Sequence, residues 1–467
     1  MKQANALAFD PVSKSWTINS SEQPAVTVPH LDGALLIDEL SLSEAADDFG
    51  HLRHLRPIAV LEPGSSEDVA RMVKFARKNG IKIGPRGHGY SVFGQSQVEG
   101  GIIIKMNVLN QPPVFGTDRV EVSSGLSWSE VLALTVERGL RPPVLTNDLE
   151  LSVGGTLSFG GLDGGSFRHG AQVDNILELQ VVTGEGKIEI CSPSHLPDLF
   201  DAILSGQGQC AIILRATLRL IPAQTHTCVF ELLYKDLSTM LTDERLLIAD
   251  GRIDRISGCI RPSPSGKWYY YIQAEYNFTP PAQPSNEILP EGLHHLRGFE
   301  KIYTLPYYDH MVRNPCFTTI RETGDVKLPH PWLNIFLPDA AIDQFLADTF
   351  ATLTPADIGI DFPVTFFWIS TELCTRPLFR LPNAQFVWLF HLMGTLPDQE
   401  SARQMIIRYR KFFDRARELG GKLYPINSLP MTRQDWKEHF DPFWEKFVQA
   451  KHRFDPDNIL TPGPEIF

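Results

Sequence analysis

The sequence predicts an α+β fold in two parts, on three observations. Three glycine-rich turns, at 84–95, 153–161 and 164–170, lie beside short apolar segments. After Pro222 the texture changes to long runs of β-formers separated by helical patterns, which suggests a second unit built on an antiparallel sheet. After Gly420-Gly421 comes a tail rich in aromatics and proline that reads as tied down. The expected division is 1–222, 223–419 and a return segment 420–467.

Each element has a local reason. Ala45-Ala46-Asp47-Asp48-Phe49-Gly50 reads as a helix ending at glycine, and 56–61 as a strand. Ser65 or Ser66 can cap a helix through Lys78, with Glu67 and Asp68 in its first turn and Gly80 ending it. Strands follow at 81–83, 101–106 and 120–123, and Ser127 or Ser129 opens a helix to about Arg138. Segments 176–182 and 187–191 read as strands around Thr183-Gly184-Glu185-Gly186, 199–204 as a helix and 210–220 as a strand. In the second unit, strands are expected at 228–234, 267–278, 362–370 and 385–393, and helices at 241–249, 340–353 and 398–419. Pro280-Pro281-Ala282-Gln283-Pro284 is a loop.

Composition removes several classes of function. A net charge of −12 argues against nucleic acid or an anionic membrane surface as partner. No run of eighteen apolar residues exists, and Met1–Asp10 has no sustained apolar stretch, so neither a membrane span nor a signal peptide is expected. The six cysteines form no metal-type spacing, and the fourteen histidines no HExxH or HxH, so no metal site is expected. Reduced cysteines fit a cytoplasmic protein.

The glycine turns carry the chemistry. Gly84-Pro85-Arg86-Gly87-His88-Gly89-Tyr90-Ser91-Val92-Phe93-Gly94-Gln95 holds four glycines in twelve residues. Bare backbone can approach a ligand closely, and successive N–H groups can form a nest for phosphate. The loop is neither a GxGxxG opening a helix nor a GxxxxGK[ST], so a dinucleotide would have to be bound by a different fold.

Jointly, Arg86-Gly87-x-Gly89-x-Ser91-x-x-Gly94-Gln95, Val153-Gly154-Gly155-Thr156-Leu157-Ser158, Phe167-Arg168-His169-Gly170, Asp198-Leu199-Phe200, Pro329-His330-Pro331-Trp332-Leu333-Asn334 and Asp455-Pro456 … Ile459-Leu460-x-Pro462-Gly463 resemble the vanillyl-alcohol-oxidase / p-cresol-methylhydroxylase (VAO/PCMH) flavoprotein superfamily, and within it cytokinin dehydrogenase. The resemblance implies an FAD-binding domain of two α+β subdomains and a substrate domain whose antiparallel sheet is flanked by helices. It implies that Gly87, Gly89 and Ser91 hold the pyrophosphate, that Arg86, His88, Tyr90, Gln95, Asn147, Ser152, Gly155 and Ser158 also contact FAD, and that Ile213 contacts its adenosine end through the backbone. Tyr424 and Thr461 would close over the flavin from the tail. Trp332 and Glu275 are expected at the substrate pocket. The implied activity is oxidation of a C–H bond next to N or O of a small molecule, with oxygen or a quinone as electron acceptor, in a monomer or homodimer.

Two departures sharpen this. Where the family usually has a flavin-linking histidine, this chain has Tyr90, so FAD is expected to be non-covalent; links through Tyr90 or His88 are the alternatives. Where the family has its proton-accepting aspartate, this chain has Asn147, which has no usable basicity. Asp148 is adjacent but would point the opposite way from an extended segment. A second family carboxylate falls at Gln273, with Glu275 nearby. Asn147, Asp148 and Gln273 are the candidate catalytic residues; the bland alternative for Asp148, Glu150 and Glu275 is solvated surface charge, His169 is read as a structural histidine, and Tyr269-Tyr270-Tyr271 as strand chemistry with one ring facing the site. A flavin-bound isomerase or cyclase, a tailoring enzyme for other substrates, and a catalytically silent FAD-binding protein are the competing functions.

Overall fold

A computed structural model describes residues 7–18, 26–263, 266–282, 285, 289–359 and 362–467. Gln283 and Pro284 of the expected proline loop, and Met1–Ala6 of the N-terminus, lie outside the described residues.

Two small sheets and one large one frame the molecule. The first has strand order Ala34–Leu36, Ala59–Glu62, Ile102–Lys105, Ile83–Arg86, parallel except at the 34–36 edge. Helix Ser66–Lys78 covers it: Ser65 Oγ accepts from Asp68 N–H, and Val69, Met72, Val73 and Ala76 are buried. The second sheet is antiparallel: Ile188–Cys191, Ile176–Thr183, Ala211–Arg219, Arg119–Ser123, Val114–Phe115. The large sheet has eight antiparallel strands, in order Lys301–Pro306, His226–Tyr234, Trp268–Phe278, Arg255–Pro262, Val364–Ser370, Phe386–Met393, Trp332–Pro338 and Lys422–Leu423. Helices Leu237–Asp250, Ile342–Phe350 and Gln399–Glu418 bury one face of it, and the tail joins its edge through Lys422–Leu423.

The tail is locked by charge as well as by packing. Lys451 and Asp455 pair at 2.7 Å with side chains almost wholly buried. Asp455 also accepts from Ile459 and Leu460 N–H, and Lys451 donates to the Gln209 and Leu460 carbonyls, so both charges are fully hydrogen-bonded. This fixes Thr461 against Ile83, whose carbonyl accepts from Thr461 N–H.

Three expectations need correction. The helix read at 45–50 is Glu39–Ala45, and Asp47 and Asp48 have left it. Their carboxylates accept from Asp48 and Gly50 N–H, local bonds that compete with a helical turn. The segment Val153–Leu157, read as a glycine turn, is a short helix capped by Ser152 Oγ. Strands Arg255–Pro262, Lys301–Pro306 and Trp332–Pro338 were not expected. The first is interrupted in sequence by Gly258, where a Cβ would overlap the buried Glu244 carboxylate.

Candidate active site

One cavity of about 880 Å³ runs between the two smaller sheets and the large sheet. Its floor is the glycine loop, Ser152–Ser158, Gln207–Gly208 and Ile213. Its roof is the strand pair 255–261 and 269–275 with Thr365, Phe367 and His391.

The loop 87–91 has the form of an anion nest. The N–H groups of Gly87, His88, Gly89, Tyr90 and Ser91 bond to no acceptor among the described residues, and all five residues line the cavity. Five free donors in a row at a cavity wall call for an external anion. The loop is held from behind. Buried Asp48 accepts from Gly94 N–H at 2.7 Å and from Ser91 Oγ at 3.1 Å, while burial raises its carboxyl to about 6 against these bonds. Arg86 donates to the Asp47 carbonyl. Gln95 spends its amide inside the protein: Oε1 accepts from Val92 and Phe93 N–H, and Nε2 donates to the Asn427 carbonyl. It clamps the loop to the tail. A Cβ on Gly87 would overlap Ser152 Oγ, so the cradle demands glycine there.

The other expected cradle residues also line the cavity. Ser152 caps Val153–Leu157, accepting from Gly155 N–H at 3.3 Å, and Ser158 Oγ donates to the Gly154 carbonyl. The Ile213 carbonyl already accepts from Ser124 Oγ at 2.6 Å. Tyr424 is buried with its hydroxyl accepting from Gly161 N–H, and Thr461 Oγ1 donates to the Gly208 carbonyl. Gln207 was missed by sequence reasoning. Its amide is buried at this wall without a partner, and the run Ser205-Gly206-Gln207-Gly208 was a readable fourth glycine turn.

The carboxylates depart from expectation. Asp148 is not a surface charge: it is 7% exposed. The chain bends at 147–150, where Asp148 Oδ1 accepts from Glu150 N–H and Thr146 Oγ1 donates to the Asp148 carbonyl, and this turn puts Asp148, not Asn147, on the buried side. Asp148 Oδ2 is buried at the cavity without a partner, and burial raises this carboxyl to about 6. Asn147 is the exposed one, its carbonyl accepting from Asn314 Nδ2 at 3.4 Å. Glu150 is exposed as expected.

Glu275 is likewise no surface charge. It sits between Arg255 Nη1 at 3.0 Å and His310 Nε2 at 3.1 Å, and Gln273 Nε2 donates to it at 3.2 Å. Burial alone would raise its carboxyl, but Arg255 and His310 outweigh that and hold it at about 2. Glu275 is therefore an anion committed to its own partners. Gln273 lines the cavity beside it because residues two apart share a strand face. By the same alternation Tyr269 and Tyr271 both face the cavity and Tyr270 packs against the opposite core.

Above the loop lies an aromatic cluster. Tyr90 stacks on Phe49 at 5.7 Å, with Phe317 at its edge, and its hydroxyl accepts from Arg321 Nη2 at 2.6 Å. Burial pushes the Tyr90 phenol up to about 12. Trp332 lies 5.4 Å from Phe49 and 6.0 Å from His391, its indole N–H buried without a partner. Burial lowers His391 to about 4, so it is neutral. His169 is not part of the cavity wall; its carbonyl accepts from Asn175.

The free N–H row, the glycine cradle and the orphaned Gln207 amide fit a dinucleotide with a pyrophosphate, as FAD has. Comparison with known proteins agrees. Residues 57–192 match a family described as FAD binding domain, and residues 261–467 one described as cytokinin dehydrogenase 1, FAD and cytokinin binding. The chain is 33% identical to an uncharacterized oxidoreductase, ORF5 in the fasciation locus of Rhodococcoides fascians, over 93% of this chain and 99% of that one. It is 30% identical to cytokinin dehydrogenase 3 of Arabidopsis thaliana over 97% of this chain and 94% of that one. It is 32% identical to cytokinin dehydrogenase 9 of Oryza sativa subsp. japonica over 94% and 93%. With a two-domain α+β fold and a cradle built for a dinucleotide, the chain belongs to the FAD-dependent oxidoreductase family of the cytokinin dehydrogenases.

Proposed function

We propose that the protein oxidises a C–H bond next to the nitrogen of a small amine of the cytokinin type, with Asp148 as the base. The observation that carries this is the Asp148 Oδ2 atom, buried and unpartnered at the wall of the cavity that also holds the free N–H row. When bound, FAD supplies the two-electron acceptor for the C–H bond. The residues 1–222 and 420–467 hold FAD in this reading, with 223–419 covering the substrate. Asp148 accepts the proton from the substrate N–H, and loss of that proton together with the hydride of the neighbouring C–H leaves the C–N bond as an imine. Trp332, Phe362 and Phe317 exclude water and orient the alkyl group. Glu275, already paired, does not compete for the proton.

Anaerobic addition of isopentenyladenine to the yellow protein is expected to bleach the flavin. If no amine bleaches it while alcohols do, the amine reading is lost. The replacement of the family histidine by Tyr90 and of its aspartate by Asn147 favours a second reading, oxidation of an amine or alcohol outside the cytokinin class.

FAD is proposed to be held without a covalent bond. Tyr90 is engaged by Arg321 and Phe49, its phenol is held in the neutral form, and His88 is exposed. Acid precipitation is expected to leave the yellow colour in the supernatant; colour in the pellet would count against it. Among the described residues no helix is long and apolar enough to cross a membrane. The six cysteines are all free thiols, which supports placing the enzyme in the cytoplasm, as a monomer or homodimer passing electrons to oxygen or a quinone.

A further inference from the structure

We propose that the roof of the cavity carries an oxyanion subsite centred on Arg261, so that the substrate bears a phosphate or carboxylate besides the bond that is oxidised. This rests on the reading of the cavity as a flavin and substrate site. Of the other cations on this side of the cavity, Arg313 is exposed to solvent, and Arg255 and Lys301 are neutralised within the protein. Arg255 lies between Asp163 at 3.4 Å and Glu275 at 3.0 Å, and Lys301 is 3.4 Å from Glu231. Arg261 differs. Its Nε donates to the Tyr271 hydroxyl at 3.1 Å and its Nη2 to Cys316 Sγ at 3.2 Å, and neither partner is a carboxylate. It forms no ion pair among the described residues, although the chain has 55 acidic residues against 43 basic ones.

A half-buried cation without a counterion carries an unrecovered desolvation cost, which an anionic ligand would offset. The geometry leaves room for one. Two bonds fix the guanidinium plane, and Nη1 makes no hydrogen bond among the described residues and is not sealed in the interior. Tyr269, stacked on Tyr271 at 5.7 Å, gives the subsite a flat aromatic wall next to the charge. A planar ring carrying an oxyanion on a short tether fits that pair of features.

Two measurements on the FAD-loaded protein test this. The first is the rate of iodoacetamide alkylation at Cys316, followed by peptide mass, since its thiol shares the Arg261 guanidinium. Inorganic phosphate or acetate is expected to slow it saturably, where chloride at equal ionic strength does not. Arg261→Gln is expected to remove the protection, and Arg261→Lys to keep part of it. Protection by phosphate alone points to a phosphomonoester, and by acetate alone to a carboxylate. Equal rates in all three salts overturn the subsite.

The second is anaerobic flavin reduction by isopentenyladenosine and by its 5′-monophosphate. Where phosphate protects, the monophosphate is expected to be preferred, and Arg261→Gln to cut that preference by about 10- to 100-fold, the scale of a hydrogen bond to a charged group. A preference unchanged in Arg261→Gln overturns the substrate claim. If neither compound reduces the flavin, the proposed amine oxidation fails, while the Cys316 measurement still decides the subsite.

Discussion

Asp148→Asn is expected to slow anaerobic flavin reduction by about 10²- to 10⁴-fold, the usual contribution of a positioned base. The exposed Asn147 should matter much less, and Asn147→Ala is expected to stay within about tenfold of the unaltered enzyme on the same scale of contributions. Burial raises Asp148 to about 6, so the base is charged, and active, only above that value. The reduction rate should rise with pH up to about 6 and then level, and the inflection should vanish in Asp148→Asn. A pH profile of single-turnover reduction checks both; an inflection that survives in Asp148→Asn would assign the base elsewhere.

The same residue links to stability with the opposite sign from a salt-bridged acid. Its folded value, about 6, lies above its ordinary 3.8, so between these values the folded state binds more protons than the unfolded state. Stability therefore falls as pH rises through this window. At pH above 6 the charged group costs the fold about 3 kcal/mol, from a shift of roughly two units. Asp148→Asn should thus raise the melting temperature of the FAD-free protein at pH 8 and change it little at pH 4. Loss of rate with gain of stability is what a strained catalytic group gives; loss of both would mark Asp148 as structural.

Gly87→Ala is expected to weaken FAD binding by about 10- to 100-fold, because the added methyl overlaps Ser152 Oγ and relief by backbone shift costs about 1–3 kcal/mol. The shift moves the row of free N–H groups, so the loss should appear as a lower ratio of flavin to protein absorbance and a larger FAD dissociation constant. The double variant Gly87→Ala/Ser152→Gly removes the Ser152 side chain and should recover much of the loss. If the double variant binds no better than Gly87→Ala, the cradle does not depend on this approach.

Much of this was legible in one dimension. The helix 66–78 was readable from Ser65, the acidic first turn and the apolar spacing, because all of its determinants are local. The long strands 268–278 and 386–393 were readable for the same reason. The glycine loop 84–95 signalled an anion nest because only bare backbone leaves five successive donors at a surface. The strands 255–262 and 332–338 were not read: Gly258 interrupts the first and prolines at 331 and 338 bracket the second, and both are held by neighbours in an eight-stranded sheet that supply their hydrogen bonds.

The sequence by itself pointed to a phosphate-binding cradle and a two-part α+β fold, since glycine turns, capping residues and β-rich runs act over a few residues, and its joint motifs carried the resemblance that implied FAD. Tertiary structure decided the chemistry of individual charges. Glu275 became a committed anion because Arg255 and His310 arrive from elsewhere in the chain. Asp148, rather than Asn147, became the buried group in the turn at 147–150, where its Oδ1 accepts from Glu150 N–H and its carbonyl from Thr146 Oγ1. Arg261 stayed without a carboxylate partner because the groups that the fold brings to it are the Tyr271 hydroxyl and the Cys316 sulfur. A charge takes its role from what surrounds it in three dimensions, and that surrounding is assembled from residues far apart in sequence.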